Sequence, residues 1–327
     1  MSILSWNKLV LVCALAMLTL CISCVENLDE LPPEKSKLVI YGEISDRAER
    51  ISVRVYRTTG YGVPFEAISD AQVIIYKDDN IASQLSGDRY GFYYSQWPGA
   101  KRGSTYYLKV QLTDGQTYVS SKEIVPSNGG IVEALRYEKT PTTYTFYTDF
   151  EDTDSGLNFY RIRYLGFYNK GGTPINVASY VYVDNLPDNL KECYASTLQK
   201  ITSPHWYKDL DLEQLTLEND LLFNGEKVTN YKIAEVAKNS KFGLGYIFNF
   251  RLHTINKNNY IYWNAIANQL DNTGSIFETA NYNIRGNIFS VENPDEEVQG
   301  YFEVSSTSEI NILFPIETGV PEQVCKP

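Results

Sequence analysis

The sequence predicts a mainly β protein: an N-terminal immunoglobulin-like or transthyretin-like β-sandwich, followed by a second β-rich domain with one main helix. Three observations lead there. Short runs rich in Val, Ile and Tyr recur along the chain, several with two-residue alternation, the period of a strand with one buried face. Clusters of Gly, Pro, Asn and Asp separate those runs. Apolar residues at convincing helical spacing occur in one segment, near 257–272.

In the first domain, 37–127, the strand runs are 37–45 (KLVIYGEIS), 51–58 (ISVRVYRT), 71–77 (AQVIIYK), 87–96 (GDRYGFYYSQ), 105–112 (TYYLKVQL) and 116–125 (QTYVSSKEIV). Asp46-Arg47, the Gly60 to Pro64 stretch and Asp78-Asp79-Asn80 break them, and Asp114-Gly115 between two runs is a hairpin signal. Six or seven short strands in so few residues suit a sandwich. Pro126 to Gly130 marks the boundary.

The second domain, 128–327, opens with strand runs at 131–139, 143–152, 158–168 and 176–184. Residues 185–232 are less regular. A long strand is expected at 241–255, then the helix, in which Tyr262, Ile266 and Leu270 share a face with Trp263 and Ala267 beside it. Asn272 and Gly274 stop it. Strands at 287–291, 298–306 and 309–314 close the chain.

The N-terminus reads as an address. Lys8 is the one charge before Leu9 to Ile22, an apolar run short for a membrane span and of the length of a signal-peptide core. It ends in Cys21-Ile22-Ser23-Cys24, with a small residue directly before the cysteine, as a lipoprotein signal peptidase requires; Cys21 stands where Leu is more usual. Residues 1–23 are therefore expected to be removed and Cys24 to be lipidated. An uncleaved anchor and simple secretion are the alternatives. The tether, 24–36, is acidic, contains Pro32-Pro33 and has no hydrophobic period. Glu26, Asp29 and Glu30 behind the cysteine resemble signals that send lipoproteins to the outer face of the outer membrane. Acyl chains at about 0.8 kcal/mol per buried methylene anchor stably without a transmembrane helix.

Composition narrows the partners. Removing Lys8 with the leader takes the net charge from −11 to −12, which argues against nucleic acid. Both methionines, Met1 and Met17, lie in the leader, and Tyr reaches 26, which suits an extracellular β protein exposed to oxidants. Besides Cys24 the mature chain holds Cys193 and Cys325. An oxidising envelope permits a bridge between them; two free thiols are the alternative.

Several phrases carry a family resemblance. They are KLVIYGEIS, SDAQVIIY, GDRYGFYYS, GSTYYLKV and DGQTYVSS in the first domain. In the second they are FEDTDSGLNFYRIRY, YIYWNAIANQLDNTGSIFE and, most specific, IRGNIFSVENPDEEVQGYFEVSS. With these the chain resembles the family known as domain of unknown function 4249, Gram-negative outer-membrane lipoproteins often encoded beside TonB-dependent receptors. The approach Asn281-Tyr282-Asn283 departs from the family's Pro-rich one, and 197–232 has little that matches. The resemblance implies an envelope location and a TonB-dependent transporter as partner, and supplies no catalytic residues.

No catalytic constellation is legible. His205 and His253 are 48 apart with no H-E-x-x-H, and neither a G-x-S-x-G elbow nor a phosphate-cradling loop occurs. His253 reads as a structural residue in an alternating strand. No cofactor is expected. The one site-like acidic cluster, Asp149, Glu151, Asp152 and Asp154, is a weak Ca²⁺ candidate, since carboxylates also favour turns without a metal. Tyr61, Phe65, Trp97, Trp206 and Tyr207 lie at turn-like positions where aromatics could stack on sugars or hold a protein partner, or else close the sandwich ends. The expectation is an outer-membrane lipoprotein serving a TonB-dependent transporter as accessory or binding subunit, not an enzyme. A stand-alone surface glycan or peptide binder comes second and a hydrolase of unfamiliar type third.

Overall fold

The computed structural model describes residues 36–59, 64–153, 156–169, 180–183, 186–198, 205–209, 215–237, 245–272, 284–314 and 323–326. The leader, Cys24, Tyr61 and Asp154 lie outside the described residues, as do 176–179, 241–244 and Gly274. Residues 37–58 and 65–327 form one compact unit. Of the other unit, 1–36 with 59–64, the described residues are Ser36, Thr59 and Pro64, and the Thr59 hydroxyl donates to the Pro64 carbonyl at 2.9 Å.

Alternation builds the first sandwich. In β1 (Leu38–Ser45) and β2 (Glu49–Arg57), Ile40, Ile44, Ile51, Val53 and Val55 point to one side and are buried. β6 (Phe92–Trp97) extends this sheet beside β2. The facing sheet pairs β4 (Gln72–Lys77) with β5 (Asn80–Gly87) and β7 (Thr105–Gln111), and β7 with β8 (Thr117–Ser120). Val73, Ile75, Leu85, Leu108 and Val110 meet the first set in a common core. Each such side chain stabilises the fold by roughly 1.5–3 kcal/mol on burial. The Asp114-Gly115 hairpin forms between β7 and β8 as expected, with Gly115 at φ 93°. β5 was not legible in the sequence. Asp78 and Asp79 both adopt positive φ and make a tight hairpin, so the strand follows where a mere separator was expected.

The second sandwich uses the same sheet. β12 (Phe159–Asn169), β17 (Gly245–Ile255) and β19 (Phe302–Phe314) run side by side, and Phe302 to Ser305 of β19 pair in parallel with Gly42 to Ser45 of β1. Across from them lies a three-stranded sheet of β10 (Ile131–Lys139), β11 (Thr143–Glu151) and β16 (Lys227–Ala237). Its Val132, Leu135, Phe146 and Phe150 close a second core on Tyr160, Ile162, Phe248, Phe250, Ile310 and Ile312. The rings of Phe146 and Phe248 stack with centroids 3.9 Å apart. β16 begins in the stretch 185–232 that reads as irregular and runs past its end; its polar outer face hides the alternation of Ala234 and Val236. β19 is continuous where two runs were expected.

The first core draws on residues from both sides of the boundary expected at 127 and 128, whereas the second lies wholly after it. Besides the β1–β19 join, β18 (Ile288–Ser290) pairs with β8, so the end of the chain completes the first sandwich. Phe302 and Val304 sit in the first core, and Ile310 and Ile312 of the same strand in the second. A mainly β architecture is therefore built on one sheet shared by two sandwiches.

The other face of that shared sheet carries the helices. α1 (Asp188–Cys193) and the short α2 (Ala195–Leu198) cover one end, where Leu186, Leu190 and Tyr194 pack on Phe167, Ile247 and Leu313. α3 (Lys257–Asn272) starts as β17 ends and lies over the other end. Asn259 is buried on it and Tyr262, Trp263 and Ile266 are half-buried, whereas Leu270 is 64% exposed and does not belong to the packed face. The short β20 (Gln323–Cys325) pairs with β19, and Cys325 forms a disulfide with Cys193, Cα to Cα 6.1 Å.

Candidate functional site

Two-residue periodicity gives the shared sheet a second face opposite the apolar one. On it the chain places Tyr41 and Glu43 from β1, Arg161 and Arg163 from β12, and Asn249, Arg251 and His253 from β17. β19 adds Glu303, Ser305, Thr307, Glu309 and Asn311. Register brings them opposite one another: Glu43 with Glu303, Arg161 with His253, His253 with Thr307, Arg251 with Glu309 and Asn249 with Asn311. A sheet face that would be solvated in an ordinary sandwich is here a covered row of charges, with Glu303 and Glu309 fully buried and Glu43 and Arg163 partly exposed.

The charges are paired. Arg161, whose side chain is 4% exposed, donates from Nη2 to Glu303 Oε1 at 2.6 Å and to Glu43 Oε2 at 2.8 Å. Arg163 Nη1 reaches Glu43 Oε1 at 2.6 Å. Trp263 of α3 caps the group: its indole Nε1 donates to Glu303 Oε2 at 2.7 Å, its ring lies 5.0 Å from the Arg161 guanidinium carbon, and its edge meets Tyr41. Farther along, the fully buried Glu309 accepts from Asn189 of α1 at 2.8 Å and from Asn249 at 2.6 Å. Its other oxygen lies 2.9 Å from Arg251 Nε and 3.3 Å from Arg47 Nε, close as an ion pair although the Arg251 N–H does not point along the contact.

The field of this cluster sets protonation. Burial alone would raise the Glu43 carboxyl, but the guanidiniums of Arg163 and Arg161 outweigh it and hold it well below the usual range. Burial opposes the charge on Arg161, and Glu303 and Glu43 more than restore it. His253 is 4% exposed, with Nδ1 3.0 Å from the Thr307 hydroxyl and 3.2 Å from that of Ser305. Burial, then Arg161 and Arg163, depress its pKa well below 6.5, so the ring is neutral in the fold. A base with a depressed folded pKa stabilises fully above its unfolded pKa and loses that contribution as pH falls below it. Urea unfolding between pH ~7.5 and ~5 should show stability declining below pH ~6.5 by up to about 1.4 kcal/mol per pH unit. His253→Gln should remove that slope; an unchanged slope would assign it elsewhere.

Two concave surfaces border the row. A cleft of about 480 Å³ is lined by Asp46, Arg47, Asn189, Glu192 and Thr307 beside the disulfide. A cavity of about 400 Å³ lies against α3, lined by Tyr262, Ile261, Phe289, Tyr301 and Glu123. Glu123 is 6% exposed and accepts from the Ser121 and Tyr301 hydroxyls and from Asn256, at 2.9, 3.3 and 2.8 Å.

The residues singled out in the sequence are dispersed. Trp97 is inside the first core, donating its Nε1 to the Ser45 carbonyl at 2.9 Å with its ring edge-on to Tyr106; the inward parity of β6 leaves it no surface. Trp206 packs on Phe167 and Leu313 beneath α1, and Tyr207, 1% exposed, stacks on Tyr168. Trp97 and Tyr207 thus lie inside the two sandwich cores, and Trp206 lies under the helices on the other face of the sheet. Phe65 is 45% exposed and leans on Tyr56. Two members of the acidic cluster, Asp149 and Asp152, are engaged within the protein. Asp149 takes both terminal nitrogens of Arg136 at 2.7 and 2.8 Å, which hold its carboxyl down to about 2. Asp152 accepts from the Tyr160 hydroxyl at 2.7 Å and from the backbone N–H of Gly225 at 2.9 Å. Glu151 is exposed, and among the described residues no group of three or more His, Cys, Asp or Glu is placed to hold a metal ion. The charged row does not stand out in the sequence. Its signal is present in Arg161-x-Arg163 and in the alternating polar positions of 303–311, which read as solvated strand faces until something covers them.

A two-sandwich β body with a helix-covered charged sheet face defines an architecture, and the family follows from the sequence match. The chain belongs to the family described as "Domain of unknown function (DUF4249)", whose model matches residues 26–311. No curated protein matches the chain. Among solved structures it is similar to "Escherichia coli alpha-2-macroglobulin activated by porcine elastase", at 13% identity over 68% of this chain and 19% of that one, TM-score 0.22. It is also similar to a "Putative membrane anchored protein from Corynebacterium diphtheriae", at 9% identity over 67% and 54%, TM-score 0.18. A third is a "putative carbohydrate binding protein from Bacteroides uniformis ATCC 8492", at 10% identity over 67% and 90%, TM-score 0.19. The chain thus spans about a fifth of the first of these structures and about half of the second. At such TM-scores the likeness carries no functional inference.

Proposed function

We propose that this chain is an outer-membrane lipoprotein, held by acyl chains on Cys24 with its body on the extracellular side, that serves a TonB-dependent transporter as accessory or binding subunit. The observation that carries the reading is the junction at Ser23-Cys24, an apolar leader ending in a small residue and an acylatable thiol, followed by an acidic tether into a body whose first strand begins at Leu38. The body supports a binding role. Its buried charges neutralise each other within the sheet, as a rigid scaffold requires, and its concave surfaces lie at the margins of that scaffold.

Mass spectrometry of the protein purified from Gram-negative membranes should show residues 1–23 removed and acyl chains on Cys24. Cys24→Ser should block both changes. A tagged wild-type protein extracted in mild detergent should bring down an outer-membrane barrel. An unacylated residue 24 would remove the anchor, and a pull-down without a barrel would remove the transporter. The second reading, a stand-alone surface binder, is favoured by one surface, around Phe65.

A further inference from the structure

Beyond β1 the shared sheet carries a different surface on the same side as Tyr41. β2 and β6 place Arg50, Arg54, Tyr56, Phe92 and Tyr94 there at alternate positions, and Phe65 leans on Tyr56 with centroids 5.2 Å apart. The Arg54 guanidinium carbon lies 4.2 Å from the centroid of Phe65, 4.7 Å from Phe92 and 4.9 Å from Tyr56. That of Arg50 lies 4.1 Å over Tyr94, whose ring stacks in turn with Phe92.

Neither arginine makes an ion pair or a side-chain hydrogen bond among the described residues, and Arg54 Nε is buried without a partner. The chain has 40 acidic residues against 29 basic ones, so carboxylates are plentiful, yet these two guanidiniums are held by rings instead. Aromatic contact occupies the faces of a guanidinium and fixes its plane. The N–H donors lie in that plane, and apart from the buried Nε of Arg54 they are left for a ligand.

We propose that this surface binds an anionic glycan, a sugar polymer bearing repeated carboxylates of the uronic-acid type. A guanidinium fork pairs with a carboxylate through two parallel hydrogen bonds, and here the fork is already ordered. Arg50 and Arg54 are four residues apart on one strand, ~13 Å, so the ligand must present acids at intervals along an extended chain. The exposed part of Phe65 offers a ring face to the apolar side of a pyranose. An acidic peptide also pairs with clustered arginines, but the exposed ring of Phe65, which suits the apolar side of a pyranose, favours the glycan. The inference rests on the binding role proposed above and names its ligand class.

The test is calorimetric titration of the full-length protein, in mild detergent, with polygalacturonate, neutral dextran and polyglutamate. Polygalacturonate should bind, and added salt should weaken it. Arg54→Ala should lose about tenfold or more in affinity, and Arg54→Lys should not restore it, since lysine lacks the fork. Arg50→Ala, on an exposed position that folding does not need, should lose at least about threefold. Urea midpoints equal to wild type keep the variants interpretable. Absence of polygalacturonate binding overturns the proposal, as does equal binding of dextran or polyglutamate, or equal affinity in Arg50→Ala. Acylation of Cys24 and recovery of a barrel are read on the same preparation. Losing those while polygalacturonate still binds sinks the envelope reading alone, and the converse sinks this one alone.

Discussion

Replacing Arg161 with methionine should cost the protein about 3–5 kcal/mol of folding stability. The reason is asymmetric. Arg161 is 4% exposed and Glu303 0%, so removing the guanidinium strands a carboxylate with no water to replace its partner. Trp263 also donates to Glu303 and stacks on Arg161, so α3 loses part of its seat. Arg163 still reaches Glu43, which limits the damage on that side. Equilibrium urea unfolding measures the effect. The double variant Arg161→Met with Glu303→Leu should recover much of the loss, because two apolar groups need no desolvated charge between them. A single variant that costs less than ~1 kcal/mol would mean that water or a neighbour repairs the site, and that the row of charges does not hold the sheet.

Gly300→Ala should be nearly as damaging, by about 2–5 kcal/mol, through the backbone rather than through charge. Gly300 has φ 98°, a region that residues with a Cβ rarely enter, and a Cβ there would run into the Ile40 carbonyl oxygen. Gly286 faces the same spot, since its Cβ would meet the Gly300 carbonyl. Around these glycines the two sandwiches are joined. Ile40 N–H donates to the Gln299 carbonyl at 3.0 Å, and Gly42 N–H to the Tyr301 carbonyl at 3.1 Å. Asn287 holds both backbone groups of Phe302, accepting from its N–H at 2.8 Å and donating to its carbonyl at 3.0 Å. The phrase Gly286-Asn287-Ile288 with Gly300-Tyr301-Phe302 is thus the seam between the sandwiches. Hydrogen exchange would localise the effect: amides of β1 and of the start of β19 should lose protection before those of β11 and β16. Uniform loss across the chain would show that the seam does not fail first.

These two sites show what could be read and what could not. The alternation of Ile40, Ile44, Val53 and Val55 is a local property, and it placed β1 and β2 without knowledge of their partners. The Asp114-Gly115 hairpin and the helix at 257–272 are equally local. The aromatic candidates fared differently. Trp97 and Tyr207 sit near turn residues in the sequence, yet the parity of their strands turns them inward, and parity at a strand end depends on where pairing begins. Arg161 and Glu303 are separated by 142 positions, and nothing in either neighbourhood announces the other.

By itself, the sequence determined the β-rich class, most of the run of strands and the one main helix. These follow from periodicity and turn chemistry over a few neighbouring residues. Only the tertiary structure decided that two sandwiches share a sheet, that its polar face is covered by α1 and α3, and that Arg50 and Arg54 stand against aromatic rings. Strand pairing joins segments across hundreds of positions, and whether a charged face meets water or protein depends on what the rest of the chain lays over it.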